Sequence, residues 1–312
     1  MAQEAPAPAI RLELAARPGL LTVDAARFAT LEVAASPSGS QFSIRGEDQQ
    51  DAIDLLAVLF QEVGEGALTS ETCRDAVLGR AAADGPLLQV QSRITLAEAG
   101  QSLAVAAYTT SDAKGTEFYV RAFAARGDLC ADLRFSSANP ISAGTQAVRE
   151  ALASVRFDPE AKPSIEGVFR YARVVFENGM PDEAAPLYEE AVMLAPDGAA
   201  NVKWRRITND QAVTAYGMAG NWAKVRALLE RAIAADPKYA LNYYNLACAD
   251  AEAGKAADAK AHLEEAFDQR ANTLPGEPLP DPTQDASLLK LRGDAAFWMF
   301  VEGLEKGRGD GF

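Results

Sequence analysis

The clearest pattern of apolar and polar positions lies in the second half of the chain, where a helical spacing recurs. In ALNYYNLACADAEAGKAADAKAHLEEAF, residues 240–267, apolar residues are spaced as in two antiparallel helices joined by a tight turn at Gly254. Gly254 follows Gly220 by 34 residues, and Gly220 follows Gly179 by 41. The pattern predicts three helical hairpins over about 165–198, 206–239 and 240–273, with about seven residues inserted within 197–206.

The chain beyond the third hairpin changes character. Residues 273–282, TLPGEPLPDP, are too rich in proline to be helical throughout. The apolar residues near the C-terminus return to helical spacing and include Phe297, Trp298 and Phe300. We therefore expect capping helices over about 285–306 that cover the last hairpin.

The first half, residues 10–160, mixes two periodicities. Short alternating runs predict strands within 12–23, 28–35 and 42–45, and Asp51–Val63 is apolar over more than half of a helical circumference, which predicts a buried helix. A further helix is predicted over 69–84 and another near 144–154. Between them, four alternating runs predict an antiparallel meander at 88–96, 103–109, 117–125 and 129–136. The predicted fold is an α+β domain, an antiparallel sheet with flanking helices over 10–160, followed by an all-α domain over 161–312.

The glycines, small residues and prolines of residues 163–305 resemble the tetratricopeptide repeat, a family that usually binds other proteins. Asp250 departs from the family pattern because an aromatic residue normally packs at its position. The resemblance implies that the first helix of each repeat lines a concave groove. The groove positions carried over are Glu166, Phe169, Arg173, Phe176, Glu177, Ile207, Asp210, Thr214, Met218, Leu241, Tyr244, Cys248 and Glu252.

The first half has a fainter resemblance of its own. Its element order and the closing ALASVRF, residues 151–157, resemble the PsbP-like α/β/α sandwich over roughly 40–157. Members of that family are mostly non-enzymatic accessory modules, so the resemblance implies binding or assembly. An α+β domain of another topology is the alternative.

Composition narrows the classes of partner. The formal net charge is -14, which disfavours nucleic acid because phosphate binding requires lysine and arginine. The longest apolar runs are too short to cross a bilayer. One basic cluster, Lys203-Trp204-Arg205-Arg206 in the inserted stretch, suits an acidic protein or peptide partner, with Trp204 and Arg205 as contact residues. Alternatively, Trp204 fills the gap that the insertion opens.

The N-terminal residues and the cysteines give information on the cellular compartment of the protein. Residues 1–9, MAQEAPAPA, are expected to form a disordered lead that resembles the start of a mature exported protein, with Met1 added; an ordinary cytosolic tail is the alternative. Cys73 and Cys130 fall in the same domain, which is compatible with a disulfide in an oxidising compartment or with two buried thiols. We expect a periplasmic or secreted protein, with a cytoplasmic one as the alternative.

Candidate catalytic chemistry is sparse. The chain has a single histidine, His262, in the repeat region, and it carries no metal-binding spacing or nucleotide loop, so no metal, cofactor or catalytic residue is predicted. Glu47, Asp48, Asp51 and Asp54 cluster at the start of the predicted first helix, where acids favour the helix dipole. The predicted function is a non-enzymatic scaffold or adaptor of the bacterial cell envelope that binds a protein through the groove. The alternative is a hydrolase of unfamiliar type that uses first-domain carboxylates.

Overall fold

The chain forms two compact units in the computed structural model, residues 1–177 and residues 178–312, and each is described by itself. The structure describes residues 10–15, 17–62, 67–84, 88–98, 101–113, 115–195 and 201–306. The predicted lead over 1–9 and residues 197–200 of the inserted stretch lie outside the described residues. The first unit ends at Glu177, one helix later than the predicted domain boundary at residue 160.

The first unit is built mainly of antiparallel strands, and the predicted order of a sheet with flanking helices followed by helical repeats is confirmed. The described strands are β1 (Ile10–Glu13), β2 (Leu20–Val23), β3 (Ala29–Ala35), β4 (Gln41–Asp48), β5 (Ile53–Gln61), β6 (Gln89–Glu98), β7 (Gln101–Asp112), β8 (Gly115–Arg126), β9 (Leu129–Ser137) and β10 (Arg156–Asp158). Seven of them form one sheet in the order β3-β4-β5-β9-β8-β7-β6, and β1-β2-β10 form a smaller one.

The helix predicted over Asp51–Val63 is wrong, because residues 53–61 form β5. This strand lies inside the large sheet between β4 and β9. Ile53, Leu55, Ala57 and Leu59 are fully buried on one face, while the alternate residues are half-buried on the other. An inner strand covered on both faces carries apolar residues at nearly every position, which imitates a buried helix.

The two faces of the large sheet are covered by different elements. Helix α1 (Ser70–Asp84) packs on β7 and β8, where Leu78 contacts Ala106 and Tyr108. On the other face, β1 packs against β4 and β5, and Phe28 contacts Phe135 of β9 with ring centroids 6.1 Å apart. Helix α2 (Gln146–Ser154) packs against β2 and β6.

Helix α3 (Ile165–Glu177) belongs to this unit even though its sequence has the repeat pattern. Its Tyr171 is fully buried with its ring 5.1 Å from that of Phe42. The hydroxyl lies within hydrogen-bond distance of the carbonyl oxygens of Ser36, at 2.7 Å, and Gln41, at 2.6 Å. The helix is thus fixed to the β3–β4 edge of the sheet.

The regular elements among the described residues of the second unit are all helices. Its helices are α4 (Pro181–Leu194), α5 (Val202–Met218), α6 (Trp222–Ala235), α7 (Ala240–Glu252), α8 (Ala256–Asp268) and α9 (Ala295–Lys306), with short 3₁₀ helices at Arg270–Asn272 and Leu288–Leu291. One apolar core joins α7 and α8 to Leu288, Leu291 and Phe297 of the C-terminal elements. The C-terminal residues therefore cover the last hairpin. No helix of the described residues combines the length and apolarity needed to cross a bilayer.

Candidate functional site

A cleft of about 430 Å³ opens in the second unit between α4, α5 and α6. Its apolar lining comes from all three helices and includes Val192, Val202, Leu228, Ala232 and Ala235. Met193 of α4 also lines it and is 70% exposed. A large, accessible apolar side chain beside a concave surface is a common feature of binding sites.

The polar lining of the cleft is rich in arginine. Arg205, Arg206 and Arg231 line it together with two carboxylates, those of Glu189 and Asp236. Arg206 Nε donates to Asp236 Oδ2 at 2.8 Å, and Arg231 Nη2 donates to Glu189 Oε1 at 2.9 Å. Arg206 and Arg231 are therefore held in place by neighbouring acids.

Glu189 is the most heavily engaged of these groups. It also accepts hydrogen bonds from the Tyr216 hydroxyl at 3.0 Å and from Lys224 Nζ at 3.3 Å. Burial acts to raise its pKa, but the hydrogen bonds from Arg231, Tyr216 and Lys224 outweigh burial and lower the pKa. Glu189 therefore stays ionised and keeps the wall of the cleft in one geometry.

The inserted stretch forms one side of the cleft. Helix α5 begins at Val202, ahead of the predicted start near residue 206, so the inserted residues lengthen it at its N-terminal end. Val202, Arg205 and Arg206 of this extension line the cleft, and Trp204 is half-buried on the same turn. Arg206 also stacks its guanidinium 4.3 Å from the ring centroid of Tyr239.

The hairpins repeat a single plan. Gly220 and Gly254 follow the first helix of a hairpin with φ of 73° and 70°, a left-handed conformation in which glycine has no steric penalty. Ala212, Ala247, Ala259 and Ala266 are fully buried, which lets the helices of a hairpin approach closely. Small residues, glycine turns and a 34-residue period coincide in the folded chain as they do in the sequence. The helical hairpins of the second unit therefore resemble tetratricopeptide repeats, as the sequence predicts.

Comparisons with known proteins find weak similarities, including some to proteins that are described as containing TPR repeats. No family model matches, and no curated protein matches. Among solved structures, MamA from Desulfovibrio magneticus is 17% identical over 47% of this chain and 78% of its own, with a TM-score of 0.33. YrrB, described as a TPR protein with an unusual peptide-binding site, is 11% identical over 46% and 69%, with a TM-score of 0.32. A C-terminal TPR-containing domain from Plasmodium falciparum is 17% identical over 47% and 92%, with a TM-score of 0.31. These scores are too low to support functional conclusions, and the resemblance of the first half to PsbP-like domains stays a prediction.

The structure divides the predicted groove residues of the repeats between the two units. Phe169, Arg173 and Phe176 lie on α3 of the first unit, where Arg173 is exposed and 3.5 Å from Glu177. In the second unit, Thr214 is exposed on α5, and Asp210 accepts a hydrogen bond from Asn245 Nδ2 at 2.9 Å. Burial raises the pKa of Asp210, and the charge of Glu277 adds to the rise.

The groove side of the third repeat is covered by the chain's own residues 274–291, the covering segment. Tyr244 is 1% exposed, and its hydroxyl donates to Asp285 Oδ2 at 3.3 Å. Glu252 accepts a hydrogen bond from Ser287 Oγ at 2.8 Å and pairs with Lys290. Burial, together with the charge of Asp285, raises the pKa of the Cys248 thiol. The predicted contact residue Tyr244 thus packs against the covering segment.

Asp250, which stands where the repeat family has an aromatic ring, is completely buried and holds two partners. It pairs with Arg226 of α6, and His262 Nδ1 of α8 lies 2.6 Å from its Oδ2. An ionic cluster therefore replaces the aromatic contact at this junction of three helices.

Asp48, Asp51 and Asp54, which are among the carboxylates considered for a hydrolase, form ion pairs with arginines. Arg27 lies 3.0 Å from Asp48 and donates to Asp51 at 2.8 Å, and Arg45 donates to Asp54 at 3.2 Å. The helix-dipole explanation for these acids is wrong, since no helix begins there: Glu47 and Asp48 end β4, and Asp54 lies in β5. No group of metal-binding side chains is found among the described residues.

The basic cluster in the sequence includes Arg205 and Arg206, but no sequence-based prediction pointed to the cleft residues on the other helices. Arg231 and Glu189 lie on the second helices of their repeats, and the groove prediction considered only the first helices. A usable signal was present in Asn209 and Asn242, which are both buried and hydrogen-bonded at 3.3 Å beside the cleft. Polar residues at core positions of two successive repeats indicate a nearby polar site.

Proposed function

We propose that this protein is a non-enzymatic interaction scaffold of the bacterial cell envelope, and that the cleft binds an acidic segment of a partner protein. The observation that carries the proposal is the cleft itself, where three arginines border an apolar surface in a chain of net charge -14. The bound segment carries a carboxylate next to aliphatic or aromatic side chains.

Arginine suits this role because its planar guanidinium binds a carboxylate through two parallel hydrogen bonds. Arg206 and Arg231 are already oriented by Asp236 and Glu189, so little side-chain freedom is lost on binding. The apolar side chains of Val192, Leu228 and Met193 supply the surface for the partner's apolar residues.

Alternatively, the partner's acidic segment binds in the predicted concave groove. The covering segment already packs on the α7 side of that groove, whereas Met218 on α5 is 66% exposed. Met193 and Met218 therefore form a matched pair: both are exposed methionines on repeat helices, and only Met193 lines the cleft.

The experiment selects peptides from a random phage-displayed library on the immobilised full chain and measures the affinity of each by fluorescence anisotropy. We expect acidic-apolar peptides whose affinity falls at least tenfold in Met193→Glu and in Arg205→Glu and stays within twofold in Met218→Glu. If only Met218→Glu lowered the peptide affinity, the binding site would be the concave groove and not the cleft. Enrichment of basic peptides would contradict the proposal.

The envelope location is supported by the cysteines of the first unit. Cys73 of α1 and Cys130 of β9 are joined in a disulfide and are both fully buried. Disulfides persist in oxidising compartments and are rare in the cytosol. Fractionation of the native cells should recover the protein outside the inner membrane, and recovery with the cytosol would refute this location.

A further inference from the structure

A second cavity, of about 490 Å³, lies in the first unit between β1, β3, β4 and α3. Phe28, Val33, Ile44 and Val174 are among its apolar lining residues. The charged side chains that line it are Arg11, Arg170 and Arg173 with a single acid, Glu177. Three arginines around one apolar cavity are unexpected in a chain whose net charge is negative.

Arg170 shows that this site is electrostatically incomplete. Its Nη2 donates to the backbone carbonyl of Arg11, and its guanidinium lies 5.4 Å from the ring centroid of Phe42. Its Nε is buried and makes no hydrogen bond with any residue that the structure describes. Burial lowers the pKa of Arg170, against the opposing charge of Glu13. A buried donor of a charged group without an acceptor is costly, and an anion beside the guanidinium would offset part of that cost through its charge.

The nearby acids engage Arg11 and Arg173 directly, whereas Arg170 experiences Glu13 and Glu166 only through their charge. Glu13 is 2% exposed, pairs with Arg11, and accepts hydrogen bonds from the backbone N–H and hydroxyl of Ser164 at 3.0 and 2.8 Å. Glu177 lies 3.5 Å from Arg173, with both side chains more than half exposed, so that pair is weak.

We propose that this cavity binds a small apolar carboxylic acid, such as a medium-chain fatty acid. The carboxylate pairs with Arg170 and Arg173, where charge-assisted hydrogen bonds are strongest in a partly desolvated site. The hydrocarbon tail lies against Phe28, Val33, Ile44 and Val174, and the volume is in the range of small-molecule sites. This site is independent of the cleft in the second unit, so either proposal can fail alone.

The test is isothermal titration calorimetry of the full chain with octanoate, 1-octanol and inorganic phosphate. We expect octanoate to bind at least tenfold more tightly than either of the others, since only octanoate offers both the charge and the tail. Arg173→Gln should weaken octanoate at least fivefold and leave 1-octanol unchanged. Arg170→Met should weaken octanoate further.

The matched control is Arg45→Gln, another half-exposed arginine of the first unit that lines a different cavity, and octanoate affinity should not change in it. Should Arg170→Met fail to fold, as judged by circular dichroism, the exposed Arg173→Gln decides. Equal affinity for octanoate and 1-octanol, phosphate binding as tight as octanoate, or an Arg173→Gln protein with unchanged affinity would each overturn the proposal.

Discussion

Gly167 of α3 has no room for a side chain, because the buried Glu13 carboxylate lies against it. A Cβ atom there would come within 2.2 Å of Glu13 Oε2 and 2.5 Å of its Cδ. Glu13 is held by Ser164 and cannot withdraw without losing those hydrogen bonds. The close approach of α3 to β1 therefore depends on glycine.

Replacing Gly167 by alanine should lower the free energy of unfolding by about 2 kcal/mol, the usual cost of overpacking. Gly79 is the matched control, since it also lies in a helix but a Cβ atom added to it would meet nothing within 4 Å; Gly79→Ala should stabilise by about 0.5–1 kcal/mol. Urea denaturation measures both. Equal stability of the two variants would contradict the contact.

Asp250→Asn should destabilise the second unit by about 3 kcal/mol, because it leaves Arg226 and His262 without their buried carboxylate. The control uses the same arginine: Glu230 is 3.9 Å from Arg226 but 60% exposed, so Glu230→Gln should cost about 0.5 kcal/mol or less. Thermal unfolding followed by circular dichroism compares the two. A small effect of Asp250→Asn would mean that the cluster contributes little.

The repeat pattern predicts that Asp250 is exceptional but not what it contacts. Its position is recognised by its distance from Gly254, which belongs to the same helical hairpin. Arg226 lies on the preceding repeat, and its side chain reaches Asp250 only once α6 and α7 have packed. Contacts between repeats depend on the packing angle, which the spacing of small residues does not specify.

At the scale of elements, the helical hairpins were predictable and the β5 strand was not. Glycine turns and small residues limit a hairpin to one arrangement, whereas the run from Ile53 to Phe60 is apolar on both faces of a strand and suits a buried helix equally well. The basic cluster at residues 203–206 indicated one side of the cleft, and the rest was not predicted because its lining comes from other helices.

The disulfide links two elements, α1 and β9, across 57 residues of sequence. Its reduction should lower the free energy of unfolding by about 4 kcal/mol, since it releases the loop constraint on the unfolded chain. Denaturation with and without dithiothreitol tests this, with the Cys73→Ala/Cys130→Ala protein as the control that should not respond. The denatured oxidised protein should titrate a single thiol, that of Cys248. Three titratable thiols in protein from native cells would contradict the disulfide.

At the scale of the whole molecule, the net charge of -14 opposes the approach of an acidic partner that the cleft attracts at short range. Raising the ionic strength from about 0.01 to 0.15 M shortens the Debye length from about 30 to 8 Å. Screening then removes the long-range repulsion before it weakens contacts inside the cleft.

We therefore expect the association rate of an acidic cleft-binding peptide to rise severalfold over that range of salt, as measured by stopped-flow fluorescence. A neutral analogue, with glutamine in place of glutamate, is the control and should show a flat rate. An association rate that falls as salt is added would show that local attraction already dominates at long range.

The attachment of α3 to the sheet restricts how a gene of this kind can evolve. The Tyr171 hydroxyl is within hydrogen-bond distance of the carbonyl oxygens of Ser36 and Gln41. Helix α3 is therefore inherited as part of the first unit, although its sequence has the repeat pattern. Duplication or loss of a 34-residue module leaves those bonds intact when both breakpoints fall after Glu177. Among descendants of such a gene, we expect the number of repeats to vary behind α3, while recombination that removes α3 would uncover Phe42 and be eliminated.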